Sequence, residues 1–200
     1  KHGKIIDLED DNLTSPFFLN YMNEALNLYS KNSKVASISG YSYPIDSKKK
    51  NYYFLRLADS WGWATWKRSW NLYEKNGNKL MKEIEKKNQS KEFNFENSYD
   101  FMRILRNYCL KLNNSWSIRW YASMYLKNKL TLFPPKSFIE NIGMDNSGVH
   151  ADNTKDYKSK LIKKYIKPQK ILVKESKYHF EKMKIFFNKI DKKNNLFNRI

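Results

Sequence analysis

Lys4-Ile5-Ile6-Asp7-Leu8-Glu9-Asp10-Asp11-Asn12 is a short apolar run that ends in three consecutive acids. Ile5, Ile6 and Leu8 have the character of a buried strand, so the acids are expected at its C-terminal edge, where open α/β sheets place their ligands. Three adjacent carboxylates repel one another unless something neutralises them. A hard divalent cation, Mg²⁺ or Mn²⁺, would do so through oxygen ligands, with one or two protein carboxylates and substrate phosphates completing its shell. The competing reading is an acidic strand-to-helix loop whose carboxylates cap the positive end of the next helix.

That next helix is easily read. Pro16 follows Thr14-Ser15, and Phe17, Phe18, Tyr21, Met22, Ala25, Leu26 and Tyr29 recur at helical spacing. Asn32-Ser33 ends the helix, and Val35 to Gly40 reads as a second strand closing on a glycine. If the two strands are parallel neighbours, the resulting βαβ unit brings the Tyr41-Ser42-Tyr43-Pro44 loop close to the acids.

Four of the six tryptophans fall in Ser60-Trp61-Gly62-Trp63-Ala64-Thr65-Trp66-Lys67-Arg68-Ser69-Trp70. Gly62 and Ala64 would let the backbone approach a ligand between flat aromatic faces. Trp66 and Trp70, four residues apart, are expected in the core, which leaves Trp61 and Trp63 to line a pocket. Leu72 to Ile84 reads as a polar-faced helix and Glu85 to Ser98 as a charged insertion. Tyr99 to Leu112 is a further helix, and Asn113-Asn114-Ser115 caps another that carries Trp116, Arg119 and Trp120. Leu130 to Phe133 is a strand stopped by Pro134-Pro135, and Met144 to His150 is a polar loop.

With 200 residues the chain is long enough for one well-buried core. A net charge of +18 and a pI near 9.7 favour an anionic partner, although lysine interspersed with asparagine and isoleucine is also what an AT-rich coding bias yields. Cys109 stands alone, so no intramolecular disulfide is available, and a cytoplasmic location is expected. No apolar run reaches the roughly 20 residues that cross a bilayer. From Asp152 onward the chain is dense in lysine, with one helix expected over Tyr178 to Ile190. Residues 1–150 are accordingly read as one unit and 151–200 as a basic extension, the latter suited to the surface of an anionic membrane.

Seven segments in order carry a resemblance: LEDDN (Leu8 to Asn12), SPFFLNYMNEAL (Ser15 to Leu26), SISGY (Ser37 to Tyr41), SWGWATW (Ser60 to Trp66), SWSIRW (Ser115 to Trp120), LTLFP (Leu130 to Pro134) and NIGMDNSGVH (Asn141 to His150). Together they resemble bacterial GT-A glycosyltransferases, and are most similar to the N-acetylglucosaminyltransferase I type, whose DXD motif takes an EDD form. The resemblance implies a mixed, Rossmann-related sheet flanked by helices, and metal-assisted, inverting transfer from a nucleotide-sugar donor to a glycan or polysaccharide acceptor. Asp11 would hold the metal. Glu9 and Asp10 would face the donor, Ser147 and His150 would belong to a loop over the diphosphate hinged at Gly143 and Gly148, and Trp61, Trp63 and Arg119 would contact substrate.

Two departures accompany it. Where that family places an Asp as the base that deprotonates the acceptor, this chain has Ser115, so Asp59 and Asp145 become the candidate bases. Base and ribose binding in GT-A enzymes also lies ahead of the DXD strand. The chain therefore reads as the C-terminal part of such an enzyme, expected to bind donor poorly by itself. The alternative is a non-catalytic module that stacks sugar or single-stranded nucleic acid on its tryptophans. The acid triplet argues against nucleic acid as a partner.

Overall fold

A computed structural model describes residues 2–143 and 154–197, with side chains described as far as Asp191. The fold is α/β, built on a mixed five-stranded sheet. Its strands are β1 (Lys4–Asp7), β3 (Val35–Ser39), β4 (Tyr53–Leu55), β5 (Trp63–Trp66) and β6 (Leu130–Phe133), in the order β1-β5-β3-β6-β4. Only β3 and β6 are parallel. A two-stranded ribbon of β2 (Asn12–Thr14) and β7 (Ile139–Asn141) stands beside it.

β1 and β3 are not neighbours. β5 lies between them and runs antiparallel to both, with Asp7 opposite Trp63 and Ser39 opposite Trp63 on its other side. β1 is therefore an edge strand, and Ile5 and Leu8, expected to be buried, are exposed. Helix α1 (Phe18–Leu28) forms as its spacing predicts and buries Phe18, Tyr21, Met22, Ala25 and Leu26, but it begins past Pro16, which sits in the preceding turn. Arg68 ties off the far end of α1, its Nη2 donating to the carbonyls of Tyr29, Asn32 and Val35.

Both faces of the sheet are covered, so its central strands are buried along their whole length rather than alternating. One face packs Ile38, Phe54, Ala64 and Leu132 against α1. The other meets α3 (Gly77–Lys86), α5 (Phe101–Cys109) and α6 (Trp116–Leu126), capped at their starts by Asn76, Asp100 and Ser115. Short helices α2 (Lys67–Trp70) and α4 (Ser90–Phe93) complete the set. The stretch read as a charged insertion is anchored by Phe93 and Phe95, which are fully buried. α7 (Lys177–Phe197) returns to the same core, packing Met183 and Phe187 with Phe95, Leu105 and Ile118. The lysine-dense stretch thus supplies core residues as well as surface. No helix among the described residues is long and apolar enough to cross a membrane.

Candidate functional site

The acids leave β1 through a turn closed by the Asn12 N–H donating to the Glu9 carbonyl. β2 then pairs with β7, which sets Asn12 opposite Asn141 and lets the Ile142 N–H donate to the Asp11 carbonyl. The carboxylate of Asp11 is held from two directions. Its Oδ1 accepts from Asn12 Nδ2 at 2.9 Å and its Oδ2 from Asn141 Nδ2 at 3.0 Å. Gly143 closes over it, so near that an added Cβ would come within 2.8 Å of Oδ2. Asn141 also accepts from the Gly143 N–H, so one amide positions both the acid and the glycine over it.

Asp59 approaches from the turn before β5. It is buried: Oδ2 accepts from Ser39 Oγ at 3.0 Å, and Oδ1 accepts from the N–H groups of Ser60 and Trp61. Burial pushes its carboxyl up to about 6, against the pull of those three donors. Glu9 is half-buried and is pushed further, to about 7, first by burial and then by the charges of Asp11, Asp7, Asp59 and Asp10. Glu9 therefore feels the charge of four other carboxyls, within a chain whose net charge is +18. Carboxyls raised to the neutral range by burial and like charge mark functional sites more often than ordinary surface.

Among the described residues, no group of three or more His, Cys, Asp and Glu side chains is arranged to hold a metal ion by itself. The donors that do converge are hard oxygens, and Asn12 Oδ1 beside them is buried with no partner among the described residues. A cation held by one carboxylate, with phosphates and water supplying the rest of its shell, is compatible with such a set.

The tryptophans are arranged differently from their sequence spacing. Trp63, expected in a pocket, is 2 % exposed: its indole N–H donates to Asp7 Oδ2 at 3.0 Å and its ring packs on Trp116 and Trp120. Trp70, expected in the core, is 44 % exposed and stacks on Tyr73. Trp61 is half-buried, with Tyr41 and Tyr157 edge-on to it. The space at Gly62 belongs to Ile139, whose side chain an added Cβ would strike at 2.5 Å, so that glycine admits the chain's own β7. Arg119 is engaged away from the acids, donating to the carbonyls of Ser115 and Lys75 with its guanidinium over the Tyr108 ring. Ser115 caps α6 through the Ile118 N–H.

Glu9 is thus brought within electrostatic reach of Asp10, Asp11 and Asp59. Asp145, Ser147 and His150 lie outside the described residues. Sequence reasoning passed over Asp7, Ser39 and Asn141 as site residues, although Asn141 opens one of the quoted segments.

No family model matches the chain. No curated protein is similar enough to count as a relative. The functional reading therefore stands on the site's own chemistry.

Proposed function

We propose that the chain is part of a metal-dependent, inverting glycosyltransferase that uses a nucleotide-sugar donor and a glycan or polysaccharide acceptor, with a GT-A type of architecture. The observation that carries this reading is the gathering of Asp7, Asp10, Asp11 and Asp59 around the half-buried Glu9, whose carboxyl burial first and those charges second raise to about 7. Five carboxyls so gathered are a poor arrangement for any anionic ligand unless a cation comes with it. Mn²⁺ or Mg²⁺, when bound, would stabilise the negative charge that builds on the departing diphosphate.

Each residue then has a separate task. Asp11, oriented by the amides of Asn12 and Asn141, offers the carboxylate for the cation. Glu9 and Asp10 face the donor, Glu9 able to exist in either protonation state at neutral pH. Asp59, with a pKa of about 6, is the described residue best suited to take a proton from an acceptor hydroxyl. Trp61 bounds the space next to it.

Titration with Mn²⁺ and a nucleoside diphosphate tests the proposal. Binding of the diphosphate should require Mn²⁺, disappear with EDTA and be lost in Asp11→Ala. Diphosphate binding that ignores EDTA and survives Asp11→Ala would sink it. A non-catalytic carbohydrate-binding role has one observation in its favour, the exposed face of Trp70 on Tyr73. Glycan binding that needs no metal and is lost in Trp70→Ala would select that reading instead.

A further inference from the structure

Residues 155–176 contain hardly any regular secondary structure, yet they are fixed to the sheet as a strap. The Ile162 N–H donates to the Ser137 carbonyl, and Leu161 bridges to Ser137 in parallel. Tyr52 Oη donates to the Ile166 carbonyl, Tyr29 Oη both donates to Gln169 and accepts from Ile171, and the Ser176 N–H donates to the Phe54 carbonyl. The lysines of this strap therefore project from a positioned backbone.

Between the strap, the Ser42–Pro44 loop and the Pro135–Ser137 turn lies an open groove of about 780 Å³. Lys136, Lys158, Lys160, Lys163 and Lys164 line it, and among the described residues no acid does. Lys158 is paired with Glu140 on β7, whereas the other four lysines have no ion pair among the described residues. Four lysines without an ion pair among the described residues, around one concavity, repel each other and attract a compact, multiply charged anion. No arginine lines it among the described residues, so the planar fork that selects carboxylates is not what it offers, while ammonium groups act as point charges toward phosphate. Its remaining walls include Pro44, Pro135, Leu161 and Ile166, which suit an apolar body joined to that anion.

We propose that this groove is a binding site for a ligand in which a phosphate or diphosphate is joined to an apolar body, distinct from the acids around Asp11. The site and the acids are linked through β7, whose Glu140 holds Lys158 and whose Asn141 holds Asp11. The proposal does not depend on the catalytic reading, because its ligand meets lysines and needs no metal.

The test is titration of the full chain with inorganic triphosphate in low salt and EDTA, with a parallel arm of phosphatidylglycerol vesicles. Triphosphate should bind without metal and weaken with added salt. Its affinity should fall about tenfold or more in Lys160→Gln/Lys163→Gln/Lys164→Gln and stay unchanged in Asp11→Ala. Vesicle capture that triphosphate reverses assigns the phosphate to a lipid headgroup; triphosphate binding without vesicle capture assigns it to a soluble phosphate. Absence of binding to both probes in EDTA, or binding that the triple variant leaves intact while its melting curve matches the parent, would overturn the proposal. Loss of triphosphate binding in Asp11→Ala would also overturn it, by returning the anion to the acid site.

Discussion

Asn141 Nδ2 donates to Asp11 Oδ2 at 3.0 Å across the β2–β7 ribbon, and so a neutral amide, rather than a cation, is what the described structure sets against the central acid. An amide orients a carboxylate without cancelling its charge. That leaves the charge of Asp11 available to a ligand.

Asn141→Asp converts this contact into two carboxylates at hydrogen-bond distance. The expected outcome is a loss of about 1–3 kcal/mol at pH 7.5, from like-charge repulsion and the lost hydrogen bond. Mn²⁺ should recover most of it, because two close carboxylates bind a cation more tightly than one. Thermal melts with EDTA and with Mn²⁺ check this. A deficit equal in both conditions would mean that the position binds no cation.

Glu9 makes stability depend on pH in an unusual direction for a carboxyl. Its folded pKa, about 7, lies above the ordinary 4.5, so the folded state holds the proton more tightly. Its contribution is complete below pH 4.5 and is lost as pH rises through 7. Because Glu9 is only half-buried, solvent screening reduces the loss to about 1–2 kcal/mol. Glu9→Gln should remove that slope, raising stability at pH 8 relative to the parent. Urea midpoints at pH 5, 6.5 and 8 measure it, and parallel pH profiles for the two proteins would refute the assignment.

His179 works in the opposite sense. It is buried at the start of α7, its ring stacked on Tyr53 at 3.8 Å, and Ser176 and Ser47 meet its two ring nitrogens. Burial, then the charge of Lys49, lowers its pKa to about 4 from 6.5. The stability due to the neutral ring is present above pH 6.5 and is lost as pH falls through 4. His179→Gln should lower stability at pH 7 by about 1–2 kcal/mol while flattening the acid limb between pH 6.5 and 4. An acid limb that stays as steep in the variant would rule out His179 as its source.

Local elements were legible wherever one segment decided them. The spacing of Tyr21, Met22 and Ala25 gives α1, and Ser115 gives the start of α6, because both depend on neighbours a few residues away. The sheet order was not legible, since β5 enters between β1 and β3 from some fifty residues downstream and nothing in Ile5 or Ile6 signals it. The tryptophans show the mechanism most clearly. The chain changes from strand to helix between Trp66 and Lys67, so the i, i+4 rule does not apply to Trp66 and Trp70. Strand alternation instead turns Trp63 toward Trp120 on one face and Ala64 and Trp66 toward α1 on the other. Of the acid site, Glu9 to Asp11 announce themselves by charge. Asn141 carries none, and its role follows from the β2–β7 register alone.

Gly62 joins the fold to the site, and its replacement separates packing from chemistry. Its φ of +53° is one that L side chains rarely adopt, and an added Cβ would meet Ile139 Cδ1 at 2.5 Å. The Gly62 carbonyl accepts from the Gly40 N–H, and its neighbours Ser60 and Trp61 hold Asp59. Gly62→Ala therefore has two costs, a left-handed backbone and a displaced Ile139, together about 2–4 kcal/mol. Ile139→Ala in the same chain removes both struck atoms, Cγ1 at 2.6 Å as well as Cδ1, so in a double-mutant cycle it should return the steric part of the Gly62→Ala cost but not the backbone part. Because β7 moves with Ile139, and Asn141 with β7, Gly62→Ala should also weaken Mn²⁺ binding at Asp11 without changing any acid. Urea unfolding and Mn²⁺ titration of the single and double variants provide the check. An equal Gly62→Ala loss in the parent and in the Ile139→Ala background would show that the backbone conformation, and not the contact with β7, is what requires glycine there.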